Sequence, residues 1–303
     1  MLLSQEKVFV TGASGFIGRA LLARMEAGPG RRLVCLSRHP PAQSTDGLRW
    51  VQGDLCEHGD WTKELAGSRV VMHMAALTGK APASEHERVN FQGTRNLLDA
   101  CRAAGVQRIL YVSTIATSYP EKRRYPYARS KERAEGLVRA SQAEWTVFRP
   151  TIVLGRESPI WAALCRLAKM RYTPVFGGGR ATVQPVAVED VVECLLAWLR
   201  EGGLARETID IGGPEILSFR DLLGRVRRAL RGSSRGMVRV PLKPSMALLA
   251  WLEPLFLEKL PLTAGQLYAF RYDGTALPSD FMVRRRDRLQ RLDPLIQRLA
   301  QDG

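Results

Sequence analysis

Short apolar runs alternate with stretches of helical periodicity along most of the chain, the pattern of buried strands covered by amphipathic helices. Residues 7–10 form a β-branched and aromatic run that predicts a strand, after which Phe16, Ile17, Ala20, Leu21 and Met25 recur at helical spacing. Similar runs predict strands at 32–37, 51–55, 70–76 and 109–114, with helices from 89 to about 104, stopped by Gly105, and from 127 to about 141. Residues 159–170 read as a helix with Ile160, Leu164, Leu167 and Ala168 on one face, and 176–180 as a glycine-rich loop. Residues 186–188 read as a return to the sheet, and 208–213 as the last parallel strand. Between them a helix opens on Glu189 and Asp190, ordinary partners for a helix N-terminus. Ser218 caps a further helix that turns Phe219, Leu222, Leu223, Val226 and Leu230 inward and its arginines outward. Residues 244–262, rich in Leu, Trp and Phe and broken by Pro254, leave three readings open: a lid, an interfacial patch or part of the core. A last amphipathic helix carries Leu289, Leu292, Leu295, Ile296 and Leu299 behind an arginine run at 284–288 that reads as a solvated face.

The chemistry gathers where these strands end. Val10–Gly18 reads VTGASGFIG, a strand feeding a helix through three glycines. Gly12 suits the tight turn, Gly15 the close approach of backbone to a pyrophosphate, and Gly18 the packing of helix on strand. Gly12, Ser14, Gly15, Phe16, Ile17 and Gly18 therefore form a candidate dinucleotide cradle at a helix N-terminus. The second strand ends on Ser37-Arg38-His39 with no acid, so Arg38 points to the 2′-phosphate of NADP(H), with NAD(H) left open. Asp54, beside Leu55, is read either as an acceptor for the adenine amino group or as a helix cap. Ala75 and Ala76 leave space for a cofactor, and His73, inside an apolar run, reads as a satisfied core histidine. The fifth strand ends on Ser113-Thr114, and Tyr127 and Lys131 lie four apart on one helical face. A phenol of ordinary pKa about 10 is a weak proton donor until a cation stabilises its anion. Lys131 is that cation, and Thr114, or second to it Ser113, is the hydroxyl for the reacting oxygen. Tyr125 is two residues out of step with Lys131.

Composition narrows the setting. The 303 residues, 45% hydrophobic and 25% charged, suffice for one large domain or two modest ones. No apolar run is long enough to span a bilayer, and residues 1–6 enter the first strand at once, leaving no room for a signal peptide. The five cysteines are scattered without a C-x-x-C, so neither a disulfide framework nor a metal site is indicated, and a reduced, cytoplasmic protein is the simplest reading. The net charge of +15 would suit nucleic acid or an anionic membrane, but only eight of the 45 basic residues are Lys, which favours an arginine-rich composition as its origin. No nucleic-acid module is visible. Peripheral membrane contact and a homodimer stay open.

The glycine turn, Asn90-x-x-Gly93-Thr94-x-Asn96-Leu97-Leu98, Tyr111-Val112-Ser113-Thr114, Tyr127…Lys131 and Arg149-Pro150 occur in order over residues 5–215. In these the chain resembles the extended short-chain dehydrogenase/reductases, the NAD-dependent epimerase/dehydratase-like group. The resemblance implies an α/β fold: a doubly wound, mostly parallel Rossmann sheet with a smaller C-terminal substrate-binding portion, divided at 1–157 and 178–212 against 158–177 and 213–303. It implies Tyr127 as acid/base, Lys131 as its partner, Thr114 as the substrate-side hydroxyl, and Pro150 at the nicotinamide. In nucleotide-sugar epimerases an Arg precedes a Val-His-Val-Asp-Asp-like run; here Val183 and Ala187 hold the Arg and His positions, and Arg180 is displaced by three. Parts of 184–186 and 260–267 look instead like relatives of the 39-kDa respiratory complex I subunit, which binds NADP(H) without evident catalysis. The expectation is an NADP(H)-preferring oxidoreductase acting on an apolar ketone or secondary alcohol. A nucleotide-sugar epimerase/dehydratase and a non-catalytic NADP(H)-binding scaffold are its rivals.

Overall fold

The glycine turn joins β1 (Lys7–Thr11) to α1 (Phe16–Arg24) in the computed structural model, which describes residues 7–25, 32–41, 47–202, 204–257, 260 and 262–301. Residues 1–6, on which the absence of a signal peptide was read, lie outside that set. β2 (Arg32–Ser37), β3 (Leu48–Gln52) and β4 (Ser68–His73) follow. Next comes one helical run of α2 (Ala83–His86), a π-helical stretch Glu87–Gln92 and α3 (Gly93–Ala103). β5 (Arg108–Val112), α4 (Pro126–Arg139) and β6 (Glu144–Pro150) lead on to β7 (Val153–Leu154), α5 (Pro159–Lys169), β8 (Thr173–Phe176), β9 (Thr182–Val183) and β10 (Val186–Ala187). The chain ends with α6 (Val188–Glu201), β11 (Glu207–Ile211), β12 (Leu217–Ser218), α7 (Phe219–Arg231), β13 (Met237–Val240), α8 (Leu242–Phe256), α9 (Ala264–Ala269), α10 (Asp280–Val283) and α11 (Leu292–Gln301).

Seven strands form one sheet in the order β3-β2-β1-β4-β5-β6-β11, and the pairings from β3 through β6 are parallel. The chain winds outward from β1 to β3 in one direction and from β4 in the other, so the doubly wound expectation holds. The carboxyl ends of β1 and β4 face the crevice where such a sheet takes a ligand. Strand β1 is central, with Phe9 and Val10 fully buried. Phe9, Val34, Leu36, Trp61, Val71, Leu97 and Ile109 fill one core cluster, and Tyr111, Ala134, Val138 and Val147 another.

Three strand readings are corrected. The third strand is Leu48–Gln52, three residues upstream of the predicted 51–55. Residues 186–187 pair only with Val153–Leu154, outside the main sheet. The strand that belongs there is β6, whose Glu144, Thr146 and Arg149 break its apolar pattern. Its polar groups are satisfied from outside the strand: Trp198 Nε1 donates to Thr146 Oγ1 (2.8 Å), and Arg149 binds Glu135. The helix predicted from 89 begins six residues earlier, at Ala83.

Two units are distinguished by their contacts. The first comprises Met1–Thr114, Tyr127–Arg149 and Val192–Ile209; the second comprises Ile115–Pro126, Pro150–Val191 and Asp210–Gly303. In the second, α5, α7 and α11 bury Trp161, Leu164, Leu222, Val226, Leu295 and Ile296 together. Ser218 Oγ accepts from Asp221 N (3.1 Å) and so caps α7 as expected, while Gly232 ends it at φ +70°. The arginines of α7 do not all face outward. Arg227 is 4% exposed and donates to the carbonyls of Ala168 (2.7 Å), Met170 (2.6 Å) and Arg235 (2.7 Å). Asp190 Oδ2 accepts from Gln290 N (2.9 Å) and Glu189 pairs with Arg298 (3.1 Å), so these two acids tie down the C-terminal segment. Phe176 ends a strand instead of opening a loop, and Gly177–Gly179 turn at positive φ. α8 runs on past Pro254, which stands in its last turn and forfeits one hydrogen bond there without breaking the helix. α11 starts at Leu292 and leaves Leu289 outside. Among the described residues no helix is long and apolar enough to cross a membrane.

Candidate active site

Two of the three glycines are demanded by space. Gly12 sits at φ +75°, where a Cβ would stand 2.5 Å from Ala75 N; one on Gly18 would stand 2.6 Å from Ala13 Cα. Gly15 differs, because its Cβ would meet only Gly12 O at 3.2 Å. Gly15 N donates to Gly12 O (3.0 Å) and closes the turn. No side chain caps α1, so the N–H groups of Phe16, Ile17 and Gly18 begin the helix without intrahelical partners. An uncapped helix start beside an open glycine face fits a pyrophosphate.

The other cofactor candidates stand around this turn. Ser37 Oγ donates to Ser14 Oγ (3.4 Å), tying the ends of β1 and β2 together, and Arg38 is exposed just beyond. Asp54 Oδ1 accepts from Cys56 N (2.9 Å) within a turn, and it caps no helix, since the next helical element starts at Asp60 behind Gly59. Leu55 is 7% exposed, and its carbonyl accepts from Asn96 Nδ2 (2.8 Å). Ala75 and Ala76 are half-buried just past β4, with Ala75 N donating to Thr11 Oγ1 (3.3 Å). His73 bridges Thr11 Oγ1 (2.7 Å) and Thr94 Oγ1 (2.8 Å), and burial pushes it down to about 3: a neutral core histidine, as read. Pro150 closes β6.

Thr114 and Tyr127 come together. Their side chains share a hydrogen bond; burial pushes the Tyr127 phenol up to about 12, and the Thr114 hydroxyl pulls it back. Ser113 Oγ, by contrast, is buried with no hydrogen-bond partner among the described residues. Tyr125 belongs to the second unit, and its backbone N donates to Lys122 O (2.8 Å). Lys131 is 1% exposed one turn after Tyr127; its Nζ donates to Val112 O (2.8 Å) and lies 4.0 Å from the centroid of the Tyr111 ring. Burial pushes Lys131 down to about 7, opposed by the Glu135 carboxylate. The ammonium is thus held at the end of β5, two residues before Thr114.

Residues that position this pair were less visible in the sequence. Ser130 Oγ donates to Tyr127 O (2.8 Å), and Asn90 Nδ2 donates to Ser130 Oγ (3.0 Å) and Leu77 O (3.0 Å) while Asn90 Oδ1 accepts from Leu77 N (2.7 Å). His86 packs edge-on against Tyr127, with ring centroids 5.9 Å apart; its Nδ1 is buried without a hydrogen-bond partner among the described residues, and burial pushes the ring's pKa down against the pull of the backbone at Leu77 and Gly79. Below them Glu135, fully buried, accepts from Arg149 (2.9 and 2.6 Å) and Arg139 (2.6 Å). Only Asn90 and Arg149 had a motif to mark them. Among the described residues no cluster of His, Cys, Asp or Glu is grouped to hold a metal.

A lysine whose folded pKa of about 7 lies below its free value of 10.5 binds fewer protons than the unfolded chain between those two values. Its destabilisation is therefore full at and below pH 7 and fades as pH rises toward 10.5. Lys131→Met is expected to raise the melting temperature of the cofactor-free protein at pH 7, with the gain shrinking by pH 10. Thermal melts across that range check the sign, and a gain that grows with pH contradicts it.

The model of the NAD dependent epimerase/dehydratase family matches residues 8–212. The 4-hydroxy-2-methyl-3-oxo-4-farnesyl-3,4-dihydroquinoline-1-oxide ketoreductase of Stigmatella aurantiaca is 33% identical over 244 residues, covering 72% of each chain. The mitochondrial NADH dehydrogenase [ubiquinone] 1 alpha subcomplex subunit 9 of Arabidopsis thaliana is 27% identical over 292 residues, 90% of this chain and 70% of that one. The dTDP-glucose 4,6-dehydratase DesIV of Streptomyces venezuelae, solved with NAD bound, superposes with a TM-score of 0.73 over 98% of this chain and 97% of that one at 24% identity, a likeness of fold. Mycobacterial relatives of 25% identity are much longer, and the chain spans about a quarter (24%) of their length.

Proposed function

The chain belongs to the NAD dependent epimerase/dehydratase family, and on that premise we propose that it is an NAD(P)H-dependent oxidoreductase interconverting a ketone and a secondary alcohol on a fairly apolar small molecule. The observation that carries this reading is the hydrogen bond between Thr114 and Tyr127, with Lys131 one turn further along α4. When bound, the nicotinamide supplies or takes up the hydride. Tyr127, protonated at neutral pH as any phenol is, gives its proton to the substrate oxygen as that oxygen gains negative charge. Thr114 orients the same oxygen. Lys131, titrating near neutrality, supplies positive charge to the phenolate left behind. Gly12, Gly15 and the start of α1 would hold the pyrophosphate, with Asp54 and Leu55 on the adenine side and Ala75, Ala76 and Pro150 toward the nicotinamide.

A quinoline ketoreductase among the relatives supports a ring ketone with apolar substituents as the substrate class. Val183 and Ala187 argue against a sugar nucleotide. Both are buried in the second unit's apolar core, where neither offers a cation for a pyrophosphate.

The test is to release the cofactor from gently purified protein, identify it by mass spectrometry, and titrate NADP(H) against NAD(H). The expected result is a preference for NADP(H) that Arg38→Ala removes, weakening NADP(H) by roughly tenfold, the value of one charge-assisted phosphate contact, while NAD(H) affinity stays. Bound NAD with indifference to Arg38 transfers the assignment to an epimerase or dehydratase. Cofactor binding without turnover of any ketone transfers it to a scaffold.

A further inference from the structure

α8 packs on α9 through Met246 and Leu249, yet its other side turns Leu248 (57% exposed), Trp251 (72%), Leu255 (74%) and Phe256 (45%) to solvent. Positions 248, 251 and 255 form one helical stripe. A stripe of this size is not an ordinary solvent face. Two exposed cations precede it along the chain, Arg239 just before α8 and Lys243 in its first turn. The side chains of Leu242, Arg239 and Arg220 lie in turn against Gly177, Gly178 and Gly179, so this triple-glycine turn joins the beginning of α8 to α7. Arg220 also lines a hollow of about 270 Å³ with Arg225, Arg228 and Ser234. Glu215 and Asp293 neutralise Arg225, and Asp221 at the rim accepts from Ser218 Oγ. Arg220, Arg228 and Arg239 have no carboxylate partner among the described residues.

We propose that the second unit docks on a bilayer surface bearing anionic lipids, with the α8 stripe entering the headgroup boundary and the Arg220–Arg228–Arg239 cluster meeting lipid phosphates. An apolar stripe beside a cationic cluster is the composition of an interfacial helix surface, in which apolar burial and attraction to anionic headgroups add. Nucleic acid would use the arginines and leave the leucines idle. A second copy of a chain of net charge +15 would bring like charges together at the face.

The experiment is co-sedimentation of the full chain with vesicles of phosphatidylcholine alone and with added phosphatidylglycerol, read alongside tryptophan emission. Trp251 is the exposed tryptophan, the other five being buried or half-buried, so a blue shift reports its insertion. Pelleting only with the anionic vesicles is expected, accompanied by that shift. Trp251→Ser/Leu255→Ser should lower the partition coefficient by about tenfold or more. Arg220→Glu/Arg239→Glu should lower it comparably, because each basic residue near the surface is worth about 1 kcal/mol, roughly fivefold. Unaltered melting temperatures in both variants show that the fold is kept. No binding, or binding indifferent to Trp251→Ser/Leu255→Ser, overturns the proposal. A vesicle-free dimer abolished by the same double variant also overturns it, and so does release by an oligonucleotide from vesicles that never shifted the emission.

Discussion

Tyr127→Phe is expected to lower ketone turnover by about 10²–10⁴-fold, the range for loss of a positioned proton donor, while leaving cofactor affinity nearly unchanged. The ring keeps its place, since its edge contact with His86 and the backbone bond from Ser130 to Tyr127 O do not involve the hydroxyl. What is lost is the phenolic hydroxyl itself, the group that meets the Thr114 hydroxyl and carries the proton. Thr114→Val should be milder and should raise KM more than it lowers kcat, because it removes orientation and leaves the donor. The measurement pairs a direct titration of cofactor with steady-state kinetics on an apolar ketone. Turnover equal to wild type in Tyr127→Phe removes this residue from the mechanism.

The second large effect is on stability. Glu135→Ala should destabilise the protein by about 3–5 kcal/mol, the usual result of deleting one partner of a buried ion pair. Glu135 has no exposed surface and accepts from two arginines, so its removal takes away the buried carboxylate that both Arg149 and Arg139 bind. Urea unfolding at pH 7 reads the loss. Glu135 also stands one turn after Lys131 and opposes the depression of its pKa, so a variant that still folds should titrate Lys131 below about 7 and shift the acid limb of the rate profile accordingly. Arg149→Met tests the pairing from the other side, since it leaves the carboxylate still bound to Arg139 and should cost less.

The inner strands β1, β2, β4 and β5 were legible, because each is buried through a short run of three or four apolar residues such as Val8–Val10 and Leu33–Leu36. β6 was not legible, because Thr146 and Arg149 interrupt its apolar pattern, and the partners that satisfy them, Trp198 and Glu135, stand outside the strand, Trp198 fifty-two residues on. Val186–Ala187 misled for the opposite reason: an apolar run reports burial but not the strand it pairs with. At the candidate site, residues fixed by local geometry were readable. Gly12 and Gly18 are required by a turn, and Tyr127 and Lys131 by one helical face. The choice of Thr114 over Ser113 depends on which hydroxyl the strand end aims at α4, which no spacing encodes. The same holds for Arg227, two of whose carbonyl partners, Ala168 and Met170, lie more than fifty residues away.

The π-helical stretch Glu87–Gln92 closes its turns with i→i+5 bonds, so each turn holds nearly one residue more than in the α-helical segments it joins. His86 at its entry lies against the Tyr127 ring, while Asn90 within it holds Leu77 by two bonds and Ser130 by a third. The widened turn thus sets the spacing between two braces of one residue, and a substitution that tightened it to regular α-helix would be felt at Tyr127 before it was felt at the glycine turn.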